Sequence, residues 1–152
     1  MNGYGWCLLR SSRPGDARVR QPDEDVHDEA ADRADSRLWA DFRAWMETNG
    51  ESYILWNLSE RNNNDRGVLS FSVSRNHRAS GVWDMLAWIA SNGPGSYGLF
   101  FVHDDEDIPT NDNYGRGGLD HSNHFRVHRV LHGGITEMED PFLGEVRPEL
   151  ED

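Results

Sequence analysis

The chain has 152 residues, the size of one domain with a sizeable hydrophobic core. Its formal net charge is −12 and its 15 basic residues are all Arg, which argues against nucleic-acid or anionic-membrane partners and favours a basic protein partner. No apolar run matches a signal peptide or approaches a membrane span, so we expect a cytoplasmic protein without membrane contact.

The N-terminal third predicts a strand and a long amphipathic helix. Tyr4–Arg10 reads as the first strand, and Cys7 within it is predicted to be a buried, inert thiol. After a segment broken by Pro and Gly, a helix is predicted from Asp23 to about Glu47. Its apolar face has residues three or four apart: Val26, Ala30, Ala34, Leu38, Phe42 and Trp45. Its polar face is predicted to carry Asp28, Asp32, Asp35 and Asp41 beside Arg33 and Arg37.

The middle of the chain predicts a hairpin, a helix and a buried strand. Strands are expected at Tyr53–Leu58 and Val68–Val73, joined by a loop rich in Asn, Asp and Gly. Ser80 is a candidate N-cap for a second helix, which should end at the sequence Asn-Gly-Pro, residues 92–94. Tyr97–Val102 is short and nearly all apolar, which predicts a central strand.

The C-terminal third predicts two strands after an irregular insert. Residues 108–123 form a polar segment with several glycines, expected to be a long connection between two paired strands. His124–Leu131 predicts a strand, Gly133–Gly134 a tight turn and Ile135–Met138 a short last strand. Residues 140–152 read as an acidic irregular tail, with docking anchors at Phe142 and Leu143.

These elements predict an α+β fold in a single domain covering residues 1–152. We write the element order as β-α-β-β-α-β-β. Hairpin-like links and only two helices favour an antiparallel or mixed β-sheet with both helices packed on one face.

Sequence motifs for catalysis and metal binding are absent or misplaced. The chain has no nucleophile elbow, phosphate-binding loop or HExxH zinc motif. Four histidines look like a cluster, but on a strand His124 and His128 lie about 13 Å apart, too far to share a zinc ion. We expect them on an exposed sheet face. Around Asp104–Asp107, Pro109 stands where a calcium-binding loop needs Asp or Asn. We therefore predict no catalytic residue, no metal and no cofactor.

Several segments together resemble one protein family. They are GSYGLFFVHDDED at 95–107, FRVHRVLHGG at 125–134, DPFLGEVRPELED at 140–152, YGW near the start and NHR at 76–78. With them the chain resembles the immunity protein 7 family of bacterial polymorphic toxin systems over nearly its whole length. Two departures are the longer segment 108–123, whose Gly-rich insert is unmatched, and Gly144 in place of a small polar residue.

The resemblance implies an α+β, non-enzymatic antidote in the cytoplasm. Such a protein binds the C-terminal domain of a secreted toxin, and ADP-ribosyltransferase-type domains are among the toxins expected. Its partner would be a basic toxin domain, because this chain is strongly acidic. Two alternatives stay open: a generic acidic protein-interaction module and, less favoured, a small hydrolase with an acid pair. Homodimerisation also stays open.

Three regions are candidates for toxin contact. The acidic strand end either touches the toxin or braces the strand, and both alternatives remain open. The polar face of the first helix and the unmatched insert are the other two regions. The candidate residues are Asp104, Asp105, Glu106 and Asp107 at the strand end, Asp28, Asp32 and Asp35 on the helix, and Asp112, Tyr114 and Arg116 in the insert.

Overall fold

A computed structural model describes residues 1–12, 29–61, 66–110 and 119–143. These residues form two helices and six strands, which confirms the predicted α+β fold; the sixth strand is the short last strand predicted at Ile135–Met138, which the written order of elements left out. The elements are β1 (Asn2–Leu9), α1 (Glu29–Asn49), β2 (Ile54–Arg61), β3 (Arg66–Ser74), α2 (Ser80–Asn92), β4 (Tyr97–His103), β5 (Phe125–Leu131) and β6 (Gly134–Glu139). Within these described ranges, neither helix combines the length and apolarity needed to cross a membrane.

The six strands form one antiparallel sheet in the order β2-β3-β1-β4-β5-β6. The apolar strand β4 lies next to β1 at the centre of this sheet, as its composition predicts. The turn between β5 and β6 is formed by His132 and Gly133, whose φ angles are 53° and 75°. Positive φ at both positions suits a two-residue hairpin. The predicted turn at Gly133–Gly134 is one residue late, because Gly134 already pairs with Leu131.

Both helices pack on the same face of the sheet, as predicted. Phe42 of α1 sits at the centre of this layer, with its ring centroid 5.6 Å from those of Trp56 in β2 and Trp88 in α2. Trp39 adds a polar link, since its indole Nε1 donates a hydrogen bond of 3.0 Å to the Leu9 carbonyl. The core they enclose includes Cys7, Leu9, Leu38, Phe42, Met46, Leu69, Phe71, Val82, Met85, Leu86, Ile89, Phe100 and Val130.

The opposite face, called here the free face, has neither described helix packed on it. It is made of the outward residues of every strand. They are Asn2, Tyr4, Trp6 and Leu8 in β1, Leu55, Asn57 and Ser59 in β2, Val68, Ser70, Ser72 and Ser74 in β3, Tyr97, Leu99, Phe101 and His103 in β4, Phe125, Val127, Arg129 and Leu131 in β5, and Gly134, Thr136 and Met138 in β6.

The placement of His128 corrects the prediction of an exposed histidine face. His128 pairs with Phe100 across the strands and shares its helix-covered side. Its ring is buried, with its centroid 5.9 Å from the ring of Phe100 and 5.6 Å from that of Trp83. The rings of Phe100 and Trp83 pack against the imidazole, which lets a histidine occupy a position in the hydrophobic core.

The structure also tests the predictions for the helix ends and for the start of the tail. The end of α1 at Asn49 confirms the predicted stop, with the Gly50 amide donating to the Met46 carbonyl at 2.8 Å. The predicted start at Asp23 lies outside the described residues. Helix α2 begins at Ser80, but Ala79 holds the N-cap position and no side chain caps it. The docking anchors predicted in the tail are wrong for the described residues, because Phe142 is 91% exposed and Leu143 50%.

Candidate functional site

The acidic strand end is a tight turn that immediately follows β4. The Asp107 amide donates a hydrogen bond of 3.1 Å to the Asp104 carbonyl, which closes the turn. The Asp104 carboxylate accepts from the Glu106 amide at 3.2 Å, a local bond typical of Asp at the start of a turn. Asp104 and Asp107 are buried, whereas the Asp105 side chain is 74% exposed. The four acids therefore divide into an inner pair and an outer pair.

The inner residue Asp104 is tied to the start of the chain. Its Oδ1 lies 3.7 Å from the Met1 α-amino nitrogen, and Oδ1 of Asp105 lies 3.5 Å from the same nitrogen. That amino group also donates to the Arg75 carbonyl at 2.7 Å, and the Arg75 amide returns a bond of 3.0 Å to the Met1 carbonyl. Because a buried charge is tolerated when it is paired and hydrogen-bonded, this cluster accounts for Asp104 inside the protein.

The other inner residue, Asp107, holds the chain where it returns towards β5. Its carbonyl accepts from the His121 amide at 2.9 Å, and the His121 carbonyl accepts from the His124 amide at 3.0 Å. Beside them, Asp120 Oδ1 accepts from both the amide and the hydroxyl of Ser122, at 3.0 and 2.7 Å. These hydrogen bonds lower the pKa of Asp120, with smaller help from the two histidines.

The outer residue Glu106 joins two segments that sequence reasoning left separate. Its Oε1 lies 2.8 Å from His77 Nδ1, although the two residues are 29 positions apart. His77 belongs to the NHR segment and Glu106 to the DDED segment, both of which were part of the family resemblance. Because both segments belong to the same family pattern, the sequence could have suggested that His77 lies near the acidic residues. Nothing in the sequence indicated that the Met1 amino group would complete the same corner.

The helix candidates have different placements from one another. Asp35 is buried, which corrects its assignment to the exposed polar face of α1. Its Oδ1 accepts hydrogen bonds from the Ser11 amide and hydroxyl at 2.6 and 2.7 Å, and Oδ2 lies 3.9 Å from Arg10 Nε. The carboxylate thus fastens α1 to the end of β1. Asp32 is half-buried in the first turn of α1.

Four of the predicted contact residues lie outside the described part of the chain. Asp28, Asp112, Tyr114 and Arg116 belong to this group, and they remain sequence predictions. Of the described candidates, Asp105, Glu106 and Asp32 present side-chain surface to solvent. Asp104, Asp107 and Asp35 are buried and serve the fold.

A surface cleft of about 500 Å³ opens beside α2 and β5. Trp83, His128 and Glu137 line it, together with Arg78, Asp84, Ala87 and Ile135. The Glu137 carboxylate accepts a hydrogen bond of 3.1 Å from Arg126 Nε. Glu137, the acid nearest to His128 in the cleft, is therefore already paired with an arginine. Among the residues described, no group of three or more His, Cys, Asp or Glu side chains is arranged to hold a metal ion.

The comparison with protein families gives one match. The model of the family described as Immunity protein 7 matches residues 4–152, which is essentially the whole chain. Comparisons with curated proteins and with solved structures found no match. The residues matched by the family include the acidic turn at Asp104–Asp107, the strands next to it and both helices. The chain therefore belongs to the Immunity protein 7 family.

Proposed function

We propose that this protein neutralises a cognate toxin by binding directly to its toxin domain, without catalysis of its own. The observation that carries the proposal is the family match over residues 4–152. We place the protein in the cytoplasm, beside the target that it protects. The expected toxin belongs to a polymorphic toxin system, and ADP-ribosyltransferase-type domains are among the classes expected.

Charge supports a basic partner. The net charge of −12 attracts a cationic domain over a long range and repels nucleic acid. Asp105 and Glu106 form the exposed half of the acidic turn and are held by a hydrogen-bonded backbone. A fixed charge on a rigid turn costs little conformational entropy when a partner Arg or Lys approaches. We assign these two residues to steering and to the polar edge of the contact.

The proposal is tested by co-expression with the C-terminal domain of the secreted protein encoded beside this gene. We expect restored growth of the expressing cells and a complex that survives size-exclusion chromatography. A toxin domain that still kills and still elutes alone would contradict direct neutralisation. A complex that forms without restoring growth would favour the generic interaction module instead.

Charge steering has its own matched test. The pair Asp105→Asn with Glu106→Gln should lower the association rate constant by about threefold to tenfold at low salt, with little change at high salt. The pair Asp84→Asn with Glu51→Gln removes the same charge from exposed positions outside the three candidate contact regions and serves as the control. Stopped-flow fluorescence measures both. Equal rates for the two variants would show that only net charge matters.

A further inference from the structure

The free face of the sheet carries aromatic and aliphatic side chains on β1, β4, β5 and β6, and the serines of β3 separate them from Leu55 on β2. The strand register places Leu55, Ser72, Tyr4, Phe101, Val127 and Met138 side by side in one row across all six strands. Tyr4 stacks on Phe101 with ring centroids 5.1 Å apart, and Trp6 meets Tyr97 edge-on at 6.2 Å. Exposed fractions of 54% for Tyr4, 38% for Trp6 and 69% for Leu55 leave these side chains open to solvent, whereas Val127 in the same row is 5% exposed.

The same face carries no carboxylate at any of its defined positions. This is unexpected in a chain with 27 acidic residues. The described sheet acids Glu60, Glu137 and Glu139 all project to the helix-covered side. Interface cores are depleted in Asp, Glu and Lys and enriched in Tyr, Trp, Phe, Met and Arg. The described side chains of the free face follow that composition, with Arg129 as the charged one among them, whereas an ordinary solvated sheet face would share the acidity of the chain.

We propose that the free face is the central contact surface for the toxin domain, an inference that rests on the proposed function. The occupant is a domain that presents an apolar patch edged by Arg or Lys. Tyr4 and Trp6 are the anchors, because half-exposed aromatic side chains bring large area at low entropic cost. The toxin's apolar patch covers them, and its basic edge meets the acidic turn.

The size of the free face explains why the acidic turn belongs to the same contact. Six strands at ~4.8 Å spacing and four rows at ~6.6 Å give a flat area of about 760 Å². A stable interface buries about 800 Å² on each partner and surrounds its apolar centre with a polar rim, so we expect the contact to include polar surface at the edge of this band. The row containing Asn2, His103 and Phe125 lies at the end where β4 runs into Asp104 and Asp105. The polar surface nearest to this end of the free face is therefore the acidic turn.

Charge also decides between a toxin and a second copy of this chain. Two copies placed face to face would bring two domains of net charge −12 together, which is unfavourable. A basic domain gains attraction from the same field. The carboxylate-free band lets apolar surfaces meet without burying an unpaired acid, and the acidic turn at one end of the band complements a cationic rim.

The test places one negative charge on the free face and the same charge elsewhere. Ser72 is exposed in the row between Leu55 and Tyr4, and Ser91 is exposed on α2, away from every candidate contact region. Ser72→Glu and Ser91→Glu change the net charge equally. We expect Ser72→Glu to raise Kd for the toxin domain encoded beside this gene by at least about 30-fold, and Ser91→Glu to stay within about twofold of the wild type. Isothermal titration calorimetry measures all three.

The outcomes separate this inference from the proposed function. Wild-type binding with an equally tight Ser72→Glu variant would overturn the free face as the contact while leaving neutralisation intact. No wild-type binding would overturn both. A wild-type dimer in sedimentation that Ser72→Glu dissociates would assign the face to a second copy instead. Urea unfolding verifies that each variant is folded, and Thr136→Glu on edge strand β6 replaces Ser72→Glu if that variant fails to fold.

Discussion

Phe100 and Phe101 are neighbours in β4, yet they belong to two different surfaces. Phe100 is fully buried under α2, with ring centroids 5.5 Å from Phe71 and 6.0 Å from Trp83. Phe101 projects to the free face and stacks on Tyr4. The covered face encloses a closed core, and the free face leaves a smaller set of aromatic side chains partly or largely open to solvent, namely Tyr4, Trp6, Tyr97, Phe101 and Phe125.

This difference shows which apolar residues the fold itself requires. On the covered face Gly3 and Gly5 leave room for aromatic rings, because a Cβ at Gly3 would lie 2.7 Å from the Phe100 ring. Such close packing is what a unique native state needs. On the free face, serines of β3 alternate with the aromatic side chains of β1 across the ladder, and no second layer of described residues covers them. Its apolar content therefore calls for a partner rather than for folding.

The largest expected effect is a difference in stability between two truncations of the same residue type. Phe100→Ala should lower the free energy of unfolding by about 3–5 kcal/mol, because it empties a fully enclosed core site. Phe101→Ala should cost about 1 kcal/mol, the scale of one partly exposed aromatic pair. Urea unfolding followed by tryptophan fluorescence measures both. Equal losses would mean that the free face is also a structural core.

Thiol reactivity provides a second measure of the same contrast. Burial raises the pKa of Cys7, on the covered face, to about 12. A cysteine introduced by Ser72→Cys on the exposed face should keep an ordinary pKa near 8.5. At pH 8 the thiolate fraction then differs by about a thousandfold, so iodoacetamide should modify position 72 quickly and Cys7 only after unfolding. Mass spectrometry reads each site. Rapid labelling of native Cys7 would contradict an enclosed core.

The raised pKa of Cys7 also fixes the sign of a pH effect. The folded pKa of Cys7, about 12, is above the ordinary value of a thiol, so the folded state holds the proton more tightly between about pH 9 and 12. The free energy of unfolding should therefore fall as the pH rises through that window, and the contribution is fully present below pH 9. Cys7→Ala should flatten this part of the curve in urea titrations, and an unchanged slope would contradict the assignment.

The sequence predicted the fold class well because local signals agreed with it. The apolar run of β4 indicated a central strand, and the Asn-Gly-Pro sequence marked the end of α2. Strand β5 shows where such reasoning fails. The alternating apolar residues of β5, Phe125, Val127 and Leu131, lie on the free face, whereas His128 faces the helices. Alternation separates the two faces of a strand but does not say which one a helix covers.

The candidate site was predicted less completely than the fold. Burial of Asp35 and Asp104 depends on partners that are distant in sequence, namely Ser11 and the Met1 amino group. From the sequence, Asp35 was predicted on an exposed polar face, whereas for Asp104 both toxin contact and bracing of the strand were left open. The free face was missed for a related reason: its rows form only when six strands are aligned, so no single segment reveals a carboxylate-free surface.

The smallest expected effect lies at the corner where the chain leaves β4, between two adjacent carboxylates. Asp104→Asn keeps an oxygen for the Glu106 amide but removes a buried charge beside the Met1 amino group, which should cost about 1–2 kcal/mol. Asp105→Asn removes an exposed charge near the same group and should cost less than about 0.5 kcal/mol. Thermal and urea unfolding of the matched pair decide the point. If Asp105→Asn destabilises as strongly as Asp104→Asn, the outer acids also brace the strand, and their assignment to the toxin's basic rim loses its basis.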